Sequence, residues 1–140
     1  MYWLFKEEPD HYSYDDLVKD GSTAWEGVHN NLALKHLREV KKGDQIFYYH
    51  TGDEKSVVGI MRADADAYSA DKKSDLATSK EVGVKVVPVR KLKNPVSLRE
   101  IKSSAKFKDF LLVKISRLSV MPVTKEQWEE ILKLSERRPN

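Results

Sequence analysis

Residues 45–68 read QIFYYHTGDEKSVVGIMRADADAY. Two runs rich in β-branched and aromatic residues, 45–50 and 57–68, flank TGDEKS, a stretch of turn formers. The segment therefore predicts a β-hairpin with a long second strand. Outward from it, YWLFK at 2–6 is another extended run, ended by Glu7, Glu8 and Pro9. Alternation places Trp3 and Phe5 on one face and Tyr2, Leu4 and Lys6 on the other. VGVKVVPVRKL at 82–92 is a further strand, in which Pro88 asks for a bulge or an edge. LLVKISRLSVMPV at 111–123 supplies an irregular one, and the polar stretch 69–81 reads as a loop.

Helices fill the intervals. Ser13 is a natural N-cap for YDDLVKD, with acids in the first turn and Gly21 as terminator. Asn30 or Asn31 caps a second helix that carries Leu34, Leu37 and Val40 on one stripe and stops by Gly43. Ser97 caps a short third helix. Thr124 and Gln127 form a capping box for the last, spanning 124–138. Trp128, Ile131, Leu132 and Ser135 share a face of it, so Trp128 reads as core. The order β-α-α-β-β-β-α-β-α predicts an α+β fold: a small barrel or curled β-sheet trimmed by helices.

A chain of 140 residues fits one domain, 1–140, with a real core, and 40% hydrophobic with 34% charged residues is ordinary for a globular protein. It has no cysteine, and His11, His29, His36 and His50 fall in no ligand spacing, so neither metal nor cofactor is expected. The first ten residues are apolar for only about five, too short for a signal peptide or a membrane span. A cytoplasmic location, or a nuclear one in a eukaryotic cell, is the expectation, as is a monomer.

Charge is segregated. Residues 1–84 hold 11 Lys and Arg against 16 Asp and Glu, whereas 85–117 hold 10 against 2. Lys85, Arg90, Lys91, Lys93 and Lys106 in that basic block are candidate phosphate contacts, because fixed cations release the counterions of a polyanion. A strand with lysines on its solvent edge would have the same composition.

Catalytic signatures are missing: no nucleophile elbow, phosphate-cradling glycine loop or dinucleotide fingerprint occurs. Recognition chemistry is richer. Aromatic residues crowd the first half, and rings of this kind either fill a barrel core or stack on flat ligands such as nucleobases. The loop WEGVHNN, residues 25–31, sets an indole, a carboxylate, an imidazole and two carboxamides side by side. A base-reading pocket uses such polar groups to match the base's edge.

YWLFKEEPDHYSYDDL, WEGVHNNLAL, VKKGDQIFYYHTG, VVGIMRADADAY, PVSLREIK and RLSVMPVTKEQW run in the order and spacing of the EVE domain family, over nearly the whole chain. The chain closely resembles that family. The resemblance implies a PUA-like fold, a small curled β-barrel with flanking helices, related to the RNA-reading PUA and YTH groups. It also implies a non-catalytic module that binds DNA or RNA and accepts a modified or flipped base.

By the same resemblance the pocket would comprise Trp3, Lys6, Glu8 and Pro9 from the first strand and its exit. The loop would give Trp25, Gly27, Val28, His29 and Asn30, the hairpin Tyr49, His50 and Thr51, and the late strand Arg117, Leu118 and Ser119. Trp25 would be a stacking wall, Asn30 and Ser119 would bond base edges, and His50 and Lys6 would hold sugar or phosphate. The chain departs from the family where Glu7 replaces a usual Ser, His29 a usual Arg, and Leu34-Lys35 a usual Arg-Asn. A Pro-x-Trp before the third long strand is also missing. An imidazole in place of a guanidinium gives up a permanent charge and forked donors.

Two other classes fit the residues. Related ASCH-type barrels act as amidohydrolases on modified nucleosides, and Lys6, Thr51 and Glu8 would supply base, nucleophile and proton shuttle. The third reading is an interaction module that binds no nucleic acid.

Overall fold

A computed structural model describes residues 1–137. Arg138, the end of the predicted last helix, lies outside the described residues. The elements are β1 (Tyr2–Glu7), α1 (Tyr14–Asp20), β2 (Thr23–Trp25), α2 (Asn31–Arg38), β3 (Gln45–His50), β4 (Ser56–Ala63), β5 (Tyr68–Ser69), β6 (Val82–Ser97), α3 (Leu98–Lys102), α4 (Leu111–Lys114), β7 (Val120–Val123) and α5 (Lys125–Glu136). A 3-10 turn, Ala105–Phe107, precedes α4.

The described strands form one mixed sheet in the order β2-β6-β4-β3-β1-β7, with β5 paired to β6. β3 and β4 make the expected antiparallel hairpin, and β1 lies parallel to β3, pairing Glu7 with His50. The 16-residue β6 pairs β2 and β5 through its first part and follows β4 to Ser97. Register shifts between Val57 and Gly59 and between Ile60 and Met61 bend this pair, the second at the partner of Pro88. The result is a curled half-barrel with flanking helices, the α+β PUA-like architecture.

Aromatic rings fill the curl. Trp128 of α5 stacks on Phe47 at a centroid distance of 3.7 Å and on Tyr2 at 4.6 Å. Phe5, Trp25, Tyr48 and Tyr14 form a second chain with centroid spacings of 5.4, 5.2 and 5.6 Å. Leu34, Leu37 and Val40 are buried as their spacing predicts. Ser13, Ser97 and Thr124 each complete a capping box, and Asn30 Oδ1 caps α2 by accepting from the Ala33 N–H at 3.0 Å.

Local departures have identifiable causes. The strand expected over 57–68 ends at Ala63, where the N–H groups of Ala63, Asp64 and Ala67 turn to the carbonyls of Asp44, Lys85 and Val40. The irregular strand expected at 111–123 is a helical turn plus a four-residue β7. The Val113 and Lys114 N–H groups bond the Phe110 carbonyl, and a short apolar run does not distinguish strand from helix. Loop 69–81 is pinned rather than free: the Arg38 guanidinium donates to the carbonyls of Leu76 at 3.1 Å and Ser79 at 2.6 Å.

Candidate functional site

The parallel β1 and β3 end together, and their exits gather most of the residues singled out from sequence. Thr51 Oγ1 donates to Glu8 Oε2 at 3.0 Å, and the Thr51 N–H bonds the Glu7 carbonyl. Lys6 Nζ donates to the Ser116 carbonyl at 2.8 Å and lies 5.6 Å from the centre of the Tyr49 ring. The Lys6 N–H bonds the Ser119 carbonyl at 2.9 Å, so β1 holds the segment of Arg117, Leu118 and Ser119 against the hairpin. Burial pulls the Lys6 ammonium below the usual lysine range. Pro9 is half-buried at the strand exit, and Leu118 is buried.

Two expected roles change. His50 was expected to reach sugar or phosphate, yet its Nε2 accepts the Tyr14 N–H at 3.1 Å and its Nδ1 lies 2.8 Å from Glu54 Oε1. Both nitrogens of this buried ring are committed within the protein. Trp3 sits at the opposite end of β1, 1% exposed, with its indole N–H given to Asp44 Oδ2 at 2.9 Å. It is a core residue away from the strand exits.

The loop after β2 separates two cavities. One, about 190 Å³, is lined by Glu7, His11, Tyr12, Thr23, Ala24, Trp25 and Glu26. The other, about 260 Å³, is lined by Glu26, Gly27, Val28, His29, Ala70, Lys80, Glu81 and Val82. Trp25 is 7% exposed, wedged against Phe5 and Tyr48, so it forms a fixed floor of the first cavity rather than a free wall. Half-buried Tyr12 supplies a second ring. Gly27, Val28 and His29 border the second cavity, beside the capped start of α2 at Asn30.

Glu26 lines both cavities and accepts the Tyr68 hydroxyl on Oε2 at 2.5 Å. Burial first, then that bond and the carboxylate's charge, push the Tyr68 phenol up to about 12. Glu7 Oε1 accepts the Glu8 N–H at 2.9 Å and faces His11 Nδ1 at 3.2 Å. Glu7, His11, Tyr12, Glu26 and Tyr68 were not among the expected site residues. Glu26 stands beside Trp25 in the sequence, a signal that was available. Tyr68 lies 42 residues away and had none.

Four lysines of the basic block are already ion-paired within the fold. Lys85 pairs with Asp64 at 3.8 Å, Lys91 with Asp15 at 2.6 Å, Lys93 with Glu136 at 3.8 Å and Lys106 with Glu130 at 3.3 Å. These acids lie after β4, on α1 and on α5. Arg90 has no carboxylate partner within ion-pair distance among the described residues. Also among the described residues, no group of three or more His, Asp or Glu is placed to hold a metal, and no helix is long and apolar enough to cross a membrane.

Comparison with known proteins bears on the family and the fold. The EVE domain family model matches residues 1–134. Thymocyte nuclear protein 1 of Gallus gallus is 32% identical over 170 aligned positions, covering 99% of this chain and 70% of the relative. A solved Rhodopseudomonas palustris protein superposes with a TM-score of 0.87 at 38% identity, over 99% of this chain and 95% of that one. The human THYN1 protein, solved in complex with 5-methylcytosine-containing DNA, superposes with a TM-score of 0.88 at 30% identity over 99% of both chains. An ASCH protein of Zymomonas mobilis superposes at 0.57 with 13% identity, a likeness of fold alone.

Proposed function

Because the chain belongs to the EVE domain family, we propose that it is a nucleic-acid-binding module that accepts a modified base beside the loop of Trp25 to His29. The observation that carries this reading is the human relative bound to DNA containing 5-methylcytosine, whose fold covers 99% of this chain. The local chemistry supports it. A rigid indole floor, the Tyr12 ring and hydrogen-bonding side chains around a small cavity suit a flipped base. In this reading Arg90 contacts the backbone, and the ion-paired lysines of the basic block mainly add positive field around it.

The test is a panel of oligonucleotides that each carry one modified base, with retention compared for the native protein and Trp25→Ala. Preference for a modified base in the native protein, lost in Trp25→Ala with the fold intact, supports the assignment. A preference that survives the substitution removes Trp25 from the pocket.

A second reading has one observation in its favour. The Thr51 hydroxyl lies 3.0 Å from Glu8 Oε2, a hydroxyl beside a carboxylate as in an activated nucleophile. The third member of that set, Lys6, is turned onto the Ser116 carbonyl. Incubation with modified nucleosides separates the readings, since a catalyst changes the compound and a reader only retains it.

A further inference from the structure

Resting on the base-binding reading above, we propose that Glu26 selects which edge the base presents: the site takes a base with an exocyclic amino group and turns away its keto counterpart. Around the Trp25 cavity, donors and acceptors are unequally committed. Tyr12 spends its hydroxyl proton on Asp20 Oδ2 at 2.8 Å, and His11 Nδ1 faces Glu7. The carboxylates among the lining residues each keep one oxygen, Glu26 Oε1 and Glu7 Oε2, to which no group donates among the described residues. An ionised carboxylate only accepts. A carboxylate acceptor matches the amino group of cytosine or adenine, and it repels the carbonyl oxygen that thymine or uracil presents at the same position.

Glu26 rather than Glu7 is assigned this role for two reasons. It follows the Trp25 floor directly and lines the same cavity. Its orientation is fixed by the Tyr68 hydroxyl on Oε2, which leaves Oε1 for a ligand. Room for that arrangement comes from Gly83 on β6, where a Cβ would stand 2.6 Å from Tyr68 Oη and 2.8 Å from Glu26 Cγ.

5-Methylcytosine and thymine carry the same methyl group and differ at the amino or keto position and the adjoining ring nitrogen. Labelled single-stranded oligonucleotides with one central 5-methylcytosine or one central thymine therefore isolate the edge. The native protein is expected to favour the 5-methylcytosine strand by about tenfold or more. Glu26→Gln, which offers a donor as well as an acceptor, is expected to bring the ratio below about threefold, with its thermal midpoint monitored for folding. Tyr68→Phe keeps the carboxylate but frees its orientation, and is expected to give a ratio between those of the native protein and Glu26→Gln. A preference undiminished in Glu26→Gln overturns the assignment. Equal binding of the two strands, both above unmethylated cytosine and uracil, overturns amino selection and leaves base reading standing. No preference for any modified base overturns both.

Discussion

Asp44 Oδ2 accepts the indole N–H of Trp3 at 2.9 Å, and the same oxygen accepts the Lys41 N–H at 2.9 Å. One buried carboxylate thus joins the start of β1 to the turn that feeds β3. Burial raises its pKa, but the bonds from Lys41, Trp3 and the N-terminal ammonium outweigh burial and hold it below the ordinary aspartate range. Asp44→Ala takes the acceptor from the Trp3 and Lys41 N–H groups and from the N-terminal ammonium, and is expected to cost roughly 2–3 kcal/mol in urea denaturation at neutral pH. For a carboxylate lowered on folding, the contribution is present above the unfolded pKa, near 3.8, and is lost as pH falls through the folded value. The native protein should therefore lose stability below about pH 4 more steeply than the variant.

His36 adds a second acid-side loss, at higher pH than that of Asp44. Its Nε2 is buried on α2 without a hydrogen-bond partner among the described residues, and burial lowers its pKa from 6.5. The unfolded chain protonates near 6.5 while the folded one stays neutral, so stability falls as pH drops below that value and levels off beneath the folded pKa. His36→Leu should remove this acid-side slope and, by deleting an unpaired polar atom, stabilise the fold by about 1 kcal/mol at neutral pH. Thermal midpoints measured from pH 7.5 down to 5 check both. An unchanged slope in the variant would show that the ring is not the titrating group.

Gly83→Ala tests the Glu26–Tyr68 pair without touching either partner. A methyl at this position overlaps the phenol oxygen at 2.6 Å, so the ring must swing away from the carboxylate. Tyr68, held up at about 12 by burial and by Glu26, should then ionise closer to the usual tyrosine value of 10.0. Absorbance titration of the variant against native protein reads the change, with Tyr68→Phe identifying the phenol. Overpacking of the strand is expected to cost about 1–3 kcal/mol as well.

Legibility in the sequence followed the range of the interactions. Ser13, Asn30, Ser97 and Thr124 were readable as caps because the N–H groups they satisfy lie three residues away. The hairpin and the buried Trp128 followed from periodicity. β2 was missed because three residues carry no period; only Val84, Lys85 and Val86 across the sheet make Thr23–Trp25 a strand. Candidate site residues divided the same way. Trp25 and Glu26 are neighbours in the chain and at the cavity, whereas His50 lost its expected role to Tyr14 and Glu54, one of them 36 residues distant. The lysines could be counted from composition, but their carboxylate partners could not.

Those partners also limit the salt dependence of binding. In Lys91→Ala/Lys93→Ala/Lys106→Ala, three cations of the basic block are removed together. Were each a committed phosphate contact, the slope of log binding constant against log salt would fall by roughly 0.7–0.9 per residue. Each is instead occupied by Asp15, Glu136 or Glu130, and their partners lie on α1 and at separate places along α5. The slope is therefore expected to fall by well under the three-residue total, read by anisotropy of a labelled oligonucleotide between 50 and 200 mM salt. The single variants should differ in stability. Side chains of Asp15 and Glu136 are 73% and 57% exposed, so losing Lys91 or Lys93 leaves them hydrated, with changes within about 0.5 kcal/mol. Glu130 is only 10% exposed, and Lys106→Ala strands it, at an expected cost of about 1 kcal/mol or more. A full three-residue drop in slope would return these lysines to the phosphate surface.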